Sequence, residues 1–184
     1  MLKRTVIGLF ATALALVGGV VAPSASADVH AAAVTITYDD SQAAEFVDVV
    51  AQGVAIWNGA VENVQIEKAS PGTDADITII ANDGWPQATL GPVFPGGSGT
   101  VWYGRQAVDE GYDVVRIAAH ELGHNLGLPD MKPGPCSSLM SGSSAGVACT
   151  NPNPDAQEIA WVEENYADAE KPIERQTVVI GWLD

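Results

Sequence analysis

The run His120-Glu121-Leu122-Gly123-His124-Asn125-Leu126-Gly127-Leu128-Pro129-Asp130 decides how this chain is read, and it holds two of the three histidines present. On a helix each residue advances by about 100°, so His120 and His124 fall about 40° apart on one face, one turn along. Two imidazole nitrogens so placed can hold one metal ion. Glu121, one residue further round, reaches a water on that ion rather than the ion itself. Asp113 can cap the helix that carries them, predicted from Val114 to about Leu126 with Val114, Ile117, Ala118, Leu122 and Leu126 as its buried stripe. Gly127 then stops it, as a left-handed C-terminal residue does.

A hydrolytic zinc site keeps three protein ligands and leaves a fourth position for water. No histidine follows His124, so the third ligand is a carboxylate or, less readily, a cysteine. Asp130 stands six residues further on; in a continuing helix it would face about 240° round, away from the metal. A break at Gly127, with Pro129 disfavouring helix at Leu128, lets the chain reverse beneath the metal and return Asp130 to it. The alternative is a glutamate from the next helix, Glu158 or Glu163, which leaves the glycine break without a purpose.

Outward from this stretch, Val34–Tyr38 alternates and is β-branched, a strand. Asp39, Asp40 and Ser41 offer caps for an amphipathic helix predicted over Gln42–Trp57, with Phe46, Val47, Val50, Val54 and Trp57 as its apolar face. Val64–Lys68 and Asp76–Ala81 are further strands. A strand, a helix and two more strands point to an α/β sandwich with an open sheet. Residues 82–99 are rich in Gly and Pro and are expected as a surface loop without core. Thr100-Val101-Trp102-Tyr103 is predicted as a short returning strand, the edge strand bordering the cleft. Residues 128–154 are loop-rich, a helix follows from Asn153-Pro154 to about Ala169, and Thr177–Trp182 is either an added strand or a loose tail. There are no internal repeats and no sign of a second domain.

The acidic balance, a net charge of −15, argues against nucleic acid as a partner. Lys3 and Arg4 precede an apolar run, and Pro23 leads into Ala25-Ser26-Ala27, the pattern of a secretory signal peptide cut after Ala27. The expected organisation is therefore a signal peptide over 1–27, a short arm over 28–33 with a solvated His30, a catalytic domain over 34–169 and an extension over 170–184. The expected product is a secreted, extracellular protein, free of the membrane after signal cleavage and monomeric.

The pattern H-E-x-x-H-x-x-G-x-x-D, followed by Leu139-Met140-Ser141-Gly142, resembles the metzincin clan of metallopeptidases and, within it, the snapalysin family of small neutral proteases. The resemblance runs from about Val34 to Ala167 and includes Ile56-Trp57-Asn58, Cys136–Gly142 and Cys149-Thr150-Asn151-Pro152. It implies an α+β fold: a small, mostly parallel twisted sheet, an edge strand lining the cleft, an active-site helix, a loop-rich lower part and a C-terminal helix. It implies His120, His124 and Asp130 as zinc ligands, Glu121 as catalytic acid/base, Met140 as the floor under the metal, and a Cys136–Cys149 bridge. Two cysteines thirteen residues apart in an exported chain also pair most simply with each other. A family calcium site falls at Asp113 and Val115, where Val115 offers only its carbonyl. Some metzincins place a tyrosine two residues after the turn methionine; here that position is Gly142.

The activity implied is hydrolysis of peptide bonds in polypeptide substrates, with an aromatic residue favoured just after the scissile bond and the substrate extended along Thr100–Tyr103. Two other readings use the same ligands: a zinc-stabilised binding module without catalysis, and a zinc amidase acting on small amides. Glu121 counts against the first, since a purely structural site has no use for a base there.

Overall fold

The computed structural model describes residues 32–168 and 178–182. The expected signal peptide and its cut after Ala27, His30, most of the 28–33 arm, residue 169 at the end of the expected catalytic domain, and residues 170–177 and 183–184 of the expected extension lie outside them. The elements are β1 (Val34–Gln42), α1 (Val47–Ala60), β2 (Val64–Lys68), β3 (Ile77–Asn82), β4 (Gln87–Thr89), β5 (Gly99–Gly104), α2 (Arg105–Asp109), α3 (Val114–Asn125), α4 (Ala156–Tyr166) and β6 (Val179–Gly181), with 3-10 turns over Ala44–Phe46 and Leu139–Ala145. They form one sheet in the order β2-β1-β3-β5-β4-β6. β2, β1, β3 and β5 run parallel, β4 turns antiparallel to β5, and β6 lies antiparallel to β4. This is the expected α+β architecture.

Alternation in the strands builds the core. Ile36, Ile77, Ile79, Val101 and Tyr103 are buried, and α1 lays Val50, Val54 and Trp57 against the same interior. Each fully buried aliphatic side chain of this size contributes roughly 1.5–3 kcal/mol. The Trp57 indole also donates to Ala119 O of α3 at 2.7 Å, so the helix that carries the histidines is keyed to α1 as well as packed on it.

Several local expectations are corrected. β1 continues to Gln42 and α1 begins only at Val47. Asp39, Asp40 and Ser41 are therefore strand residues rather than caps; Asp40 pairs with Lys68 of the neighbouring strand at 2.7 Å. Residues 82–99 do carry core: Ala88, Val93 and Phe94 are buried, and β4 lies within this segment. β5, the strand of Thr100–Tyr103, is internal, with β3 on one side and β4 on the other. Its backbone groups are already committed, so it cannot be the strand that receives a peptide. α4 starts after Asp155, which forms a capping box with Glu158, and ends at Tyr166. Residues 179–181 are a strand of the same sheet.

Candidate active site

α3 presents both histidines to the interior. Asp113 caps its N-terminus by accepting Arg116 N–H at 2.8 Å. At the other end, Gly127 N–H bonds His124 O and Leu128 N–H bonds Gly123 O, the paired closure of a Schellman motif. Gly127 adopts φ +96°, and a Cβ there would lie 2.6 Å from Asn165 Nδ2. Conformation and space both require glycine, and the turn it makes brings Asp130 back under the helix.

Three ligand atoms converge. His120 Nε2 and His124 Nε2 lie 3.3 and 3.7 Å from Asp130 Oδ1, and all three atoms fall within 4.8 Å of one another. The other ring nitrogens are held from outside: His120 Nδ1 meets Leu139 O at 3.0 Å and His124 Nδ1 meets Leu128 O at 2.7 Å. A carbonyl only accepts, so each Nδ1 carries the proton and each Nε2 turns a lone pair inward. Both Nε2 atoms and Asp130 Oδ1 are buried without a hydrogen-bond partner among the described residues. Buried polar atoms are seldom left so, and a cluster of orphans facing one point fits a cation. Two imidazoles and a carboxylate form a donor set suited to zinc. Glu158 and Glu163 are engaged elsewhere: Glu158 binds the 138–140 loop and Glu163 accepts Glu62 and Asn63 N–H.

Glu121 is wholly buried, and neither carboxylate oxygen has a partner among the described residues. Burial, reinforced by Asp130, pushes its carboxyl well above the usual range. Burial, with His120 adding to it, pulls His124 down to about 3. Burial alone would raise Asp130, but His120, His124 and Lys132 together hold it below its ordinary value. The protein's own groups thus favour neutral His124 and anionic Asp130, the protonation states that ligate a metal.

The floor is Met140. A Cβ at Gly123 would lie 2.8 Å from Met140 Sδ and 3.1 Å from the Trp57 ring, so this glycine between the histidines lets both side chains close up beneath α3. The floor loop is gripped from two directions. Glu158 accepts Ser138 Oγ–H, Leu139 N–H and Met140 N–H. Arg116, only 2% exposed, donates to Ser138 O, Leu139 O, Ser141 Oγ and Asn151 O. The Cys136–Cys149 disulfide, with a Cα–Cα distance of 5.5 Å, closes the loop. Neither Arg116 nor the role of Glu158 as a clamp was foreseen. The only sequence signal was an arginine placed on the inner side of the α3 stripe.

β4 lies between β5 and β6, on the side of β5 away from β3. Asn125 Nδ2 donates to Thr89 O, while Gly91 and Val93 N–H donate to His124 O and Asn125 O, so the last turn of α3 sets the height of β4. On β4 lies β6. Val178 O accepts Leu90 N–H, Trp182 N–H donates to Pro86 O, and Trp182 is fully buried. Its ring meets His120 at 4.7 Å and Tyr112 at 5.7 Å, edge to face in both cases. Lys132 Nζ, 3.3 Å from Asp130 Oδ2, also donates to Gly181 O and Trp182 O.

Asp113 and Val115 are not brought into this cluster. They line a separate open cavity of about 410 Å³ with Gln52, Ala55, Ile56, Thr150 and Pro152. Asp113 serves as a helix cap, and nothing at these two residues supports calcium.

The model of the Streptomyces extracellular neutral proteinase (M7) family matches residues 33–169. The chain is 41% identical over 149 residues to an extracellular small neutral protease of Streptomyces coelicolor, spanning 80% of this chain and 66% of that one. It is also 41% identical over 136 residues to the protein of the same name from Streptomyces caespitosus, spanning 73% and 98% respectively. Among solved structures, high choriolytic enzyme 1, a hatching enzyme zinc-protease of the medaka fish Oryzias latipes, matches with a TM-score of 0.50 over 73% of this chain and 90% of that one. At 17% identity that likeness is one of fold. Motif, architecture and sequence agree: the chain belongs to the Streptomyces extracellular neutral proteinase (M7) family, the snapalysins.

Proposed function

We propose that the protein is a secreted zinc-dependent endopeptidase acting on polypeptides outside the cell. The observation that carries this reading is the set of buried, unpartnered atoms of His120, His124 and Asp130 facing one another, with an unpartnered Glu121 carboxylate on the same helix. His120 Nε2, His124 Nε2 and Asp130 Oδ1 would hold the zinc. When bound, zinc supplies Lewis acidity and brings the pKa of a coordinated water to near 7.

Glu121 is the proton carrier. Its raised proton affinity suits a base that takes a proton from the attacking water and then delivers it to the leaving amine nitrogen. Lys132 Nζ, already donating to two peptide carbonyls in the cleft, supplies a hydrogen-bond donor where Gly142 offers no side chain. β4, where its edge now paired with β6 is free, would align the substrate as an added antiparallel strand in place of Thr100–Tyr103. The recess between His120 and Tyr112, which here holds an indole, would suit an aromatic residue after the scissile bond. Extracellular action is supported by the names of the relatives, by the signal-like N-terminal sequence and by a disulfide, which persists in oxidising surroundings.

The test is casein hydrolysis by the purified protein, with and without a chelator, beside Glu121→Gln. Chelation is expected to abolish cleavage. Glu121→Gln should lower it about 10²- to 10⁴-fold with zinc content retained. Proteolysis surviving both treatments would overturn the reading.

A further inference from the structure

We propose that Val178–Trp182 of this chain is a substrate-like occupant of the peptide cleft that holds the protease latent in cis. The inference rests on the endopeptidase reading and concerns how that site is restrained.

The segment does what a bound peptide must do here. It adds to β4 as an extended antiparallel strand in the register Thr89↔Val179, Ala88↔Ile180, Gln87↔Gly181. Bonds at both ends of the pairing, Leu90 N–H to Val178 O at 2.6 Å and Trp182 N–H to Pro86 O at 2.9 Å, fix that register. It then delivers an aromatic side chain against a metal-ligating histidine, where the Trp182 ring is 0% exposed. Three side-chain donations collect its last two described carbonyls: Lys132 Nζ to Gly181 O and Trp182 O, and Ser143 Oγ to Trp182 O. Lys132 Nζ at the same time faces Asp130, so the amine that grips the segment stands beside a zinc ligand. A substrate cannot pair with β4 or enter the recess until β6 leaves.

The attachment is also of a kind that can be released. β6 is three residues long, Val178 and Val179 are exposed, and the Trp182 indole N–H has no partner among the described residues. A buried indole N–H usually finds one, and its absence weakens docking relative to a settled core residue. Because the occupant is tethered, it competes at a high effective concentration. If the open form is a fraction f of the enzyme, apparent substrate affinity falls by that same factor. KM should therefore carry the effect while kcat, measured at saturation, does not.

The experiment uses the full chain. In the antiparallel alternation Ile180 stands in a hydrogen-bonded pair with Ala88, so Ile180→Pro removes a ladder donor without touching the zinc ligands. Ile180→Pro, and separately Trp182→Ala, should lower KM for an internally quenched peptide about tenfold or more at unchanged kcat, the change expected if roughly nine-tenths of the protein is closed. Hydrogen exchange, run on metal-free protein, gives a readout independent of activity. The Leu90 amide should exchange about tenfold or more slower in the parent than in Ile180→Pro. A synthetic peptide of the sequence 177–184 should slow it again in the variant. An unchanged KM in variants that cleave overturns the proposal. So does loop-like exchange at Leu90 in the parent, which decides the matter even if a variant fails to fold. If neither parent nor variants cleave any peptide while Leu90 is protected, it is the protease reading that fails, and with it the inhibitory role.

Discussion

The sheet with α1 and the loop region over 128–154 are built by opposite means. The upper half is held by apolar side chains at strand and helix spacing: Ile36, Ile77, Ile79 and Val101 from the strands, Val50, Val54 and Trp57 from α1. The lower half contains a single 3-10 turn of regular structure. There Leu139 and Met140 are buried, but the backbone around them is set by two charged side chains, Arg116 reaching from α3 and Glu158 from α4. They grip adjacent stretches of the floor, Arg116 largely through carbonyls and Glu158 largely through amides. A core built on burial tolerates loss of one member by degrees. A floor built on buried charge depends on each member, since removing one leaves the other charge buried and uncompensated.

The sharpest way to break this contrast is to cut one support in each half. Arg116→Met removes the donor to Asn151 O, leaves Ser138 O and Leu139 O with only Ser141 Oγ–H and His120 Nδ1–H, and leaves Glu158 buried without its counter-charge. It should cost about 3–5 kcal/mol in urea denaturation and lower zinc retention under dialysis. Ile79→Ala, in the sheet, should cost about 3 kcal/mol through its cavity yet leave zinc retention at the parent level. Equal loss of zinc in both variants would show that the two halves do not differ as described.

A smaller effect sharpens the account of the lower half. Replacing both Cys136 and Cys149 by alanine reopens a loop with a sequence separation of 13 and should cost about 3 kcal/mol, mostly by freeing the unfolded chain. Because Arg116 and Glu158 still clamp the floor, kcat on a peptide should stay near the parent value at temperatures below the melt. A large fall in kcat without unfolding would make the bridge, rather than the charges, the support of the floor.

The smallest effect lies at the surface of the upper half. Arg105 bonds Glu45 and Asp83, and its hydrogen bonds hold the Glu45 carboxyl at about 2, below the ordinary 4.5. The folded value is the lower one, so the contribution is present above about 4.5 and is lost as the pH falls towards 2. Both partners meet solvent, and screening keeps the gain slight. Glu45→Gln should leave the melting temperature at pH 7 within its reproducibility and flatten only the acid side of the stability profile.

The same contrast explains what could be read from the chain alone. β1, β2, β3 and α3 were legible because burial imposes a period of two or of 3.6 residues on apolar side chains, and the convergence of His120, His124 and Asp130 because helical spacing and the Gly127 turn are local facts. The start of α1 was misplaced because Asp39, Asp40 and Ser41 resemble caps, whereas strand pairing with β3 extends β1 through them. β4 was missed because its strand character is not intrinsic: three residues in a Gly- and Pro-rich segment are straightened by pairing with β5 and by Asn125. Arg116 and Glu158 were missed as clamps because their partners are backbone groups 18 to 35 residues away, and such pairing leaves no periodic trace.

One bond in the α3 turn has a geometric consequence for the reaction. His124 turns its ring inward toward Asp130, while its carbonyl accepts Gly91 N–H at 2.7 Å. A single residue therefore fixes two coordinates, the position of the His120–His124–Asp130 cluster and the offset of β4. It acts as a ruler: under the proposed reading, backbone spacing would choose the peptide unit brought opposite the centre, and the recess beside His120 would then select among the sequences that fit that frame.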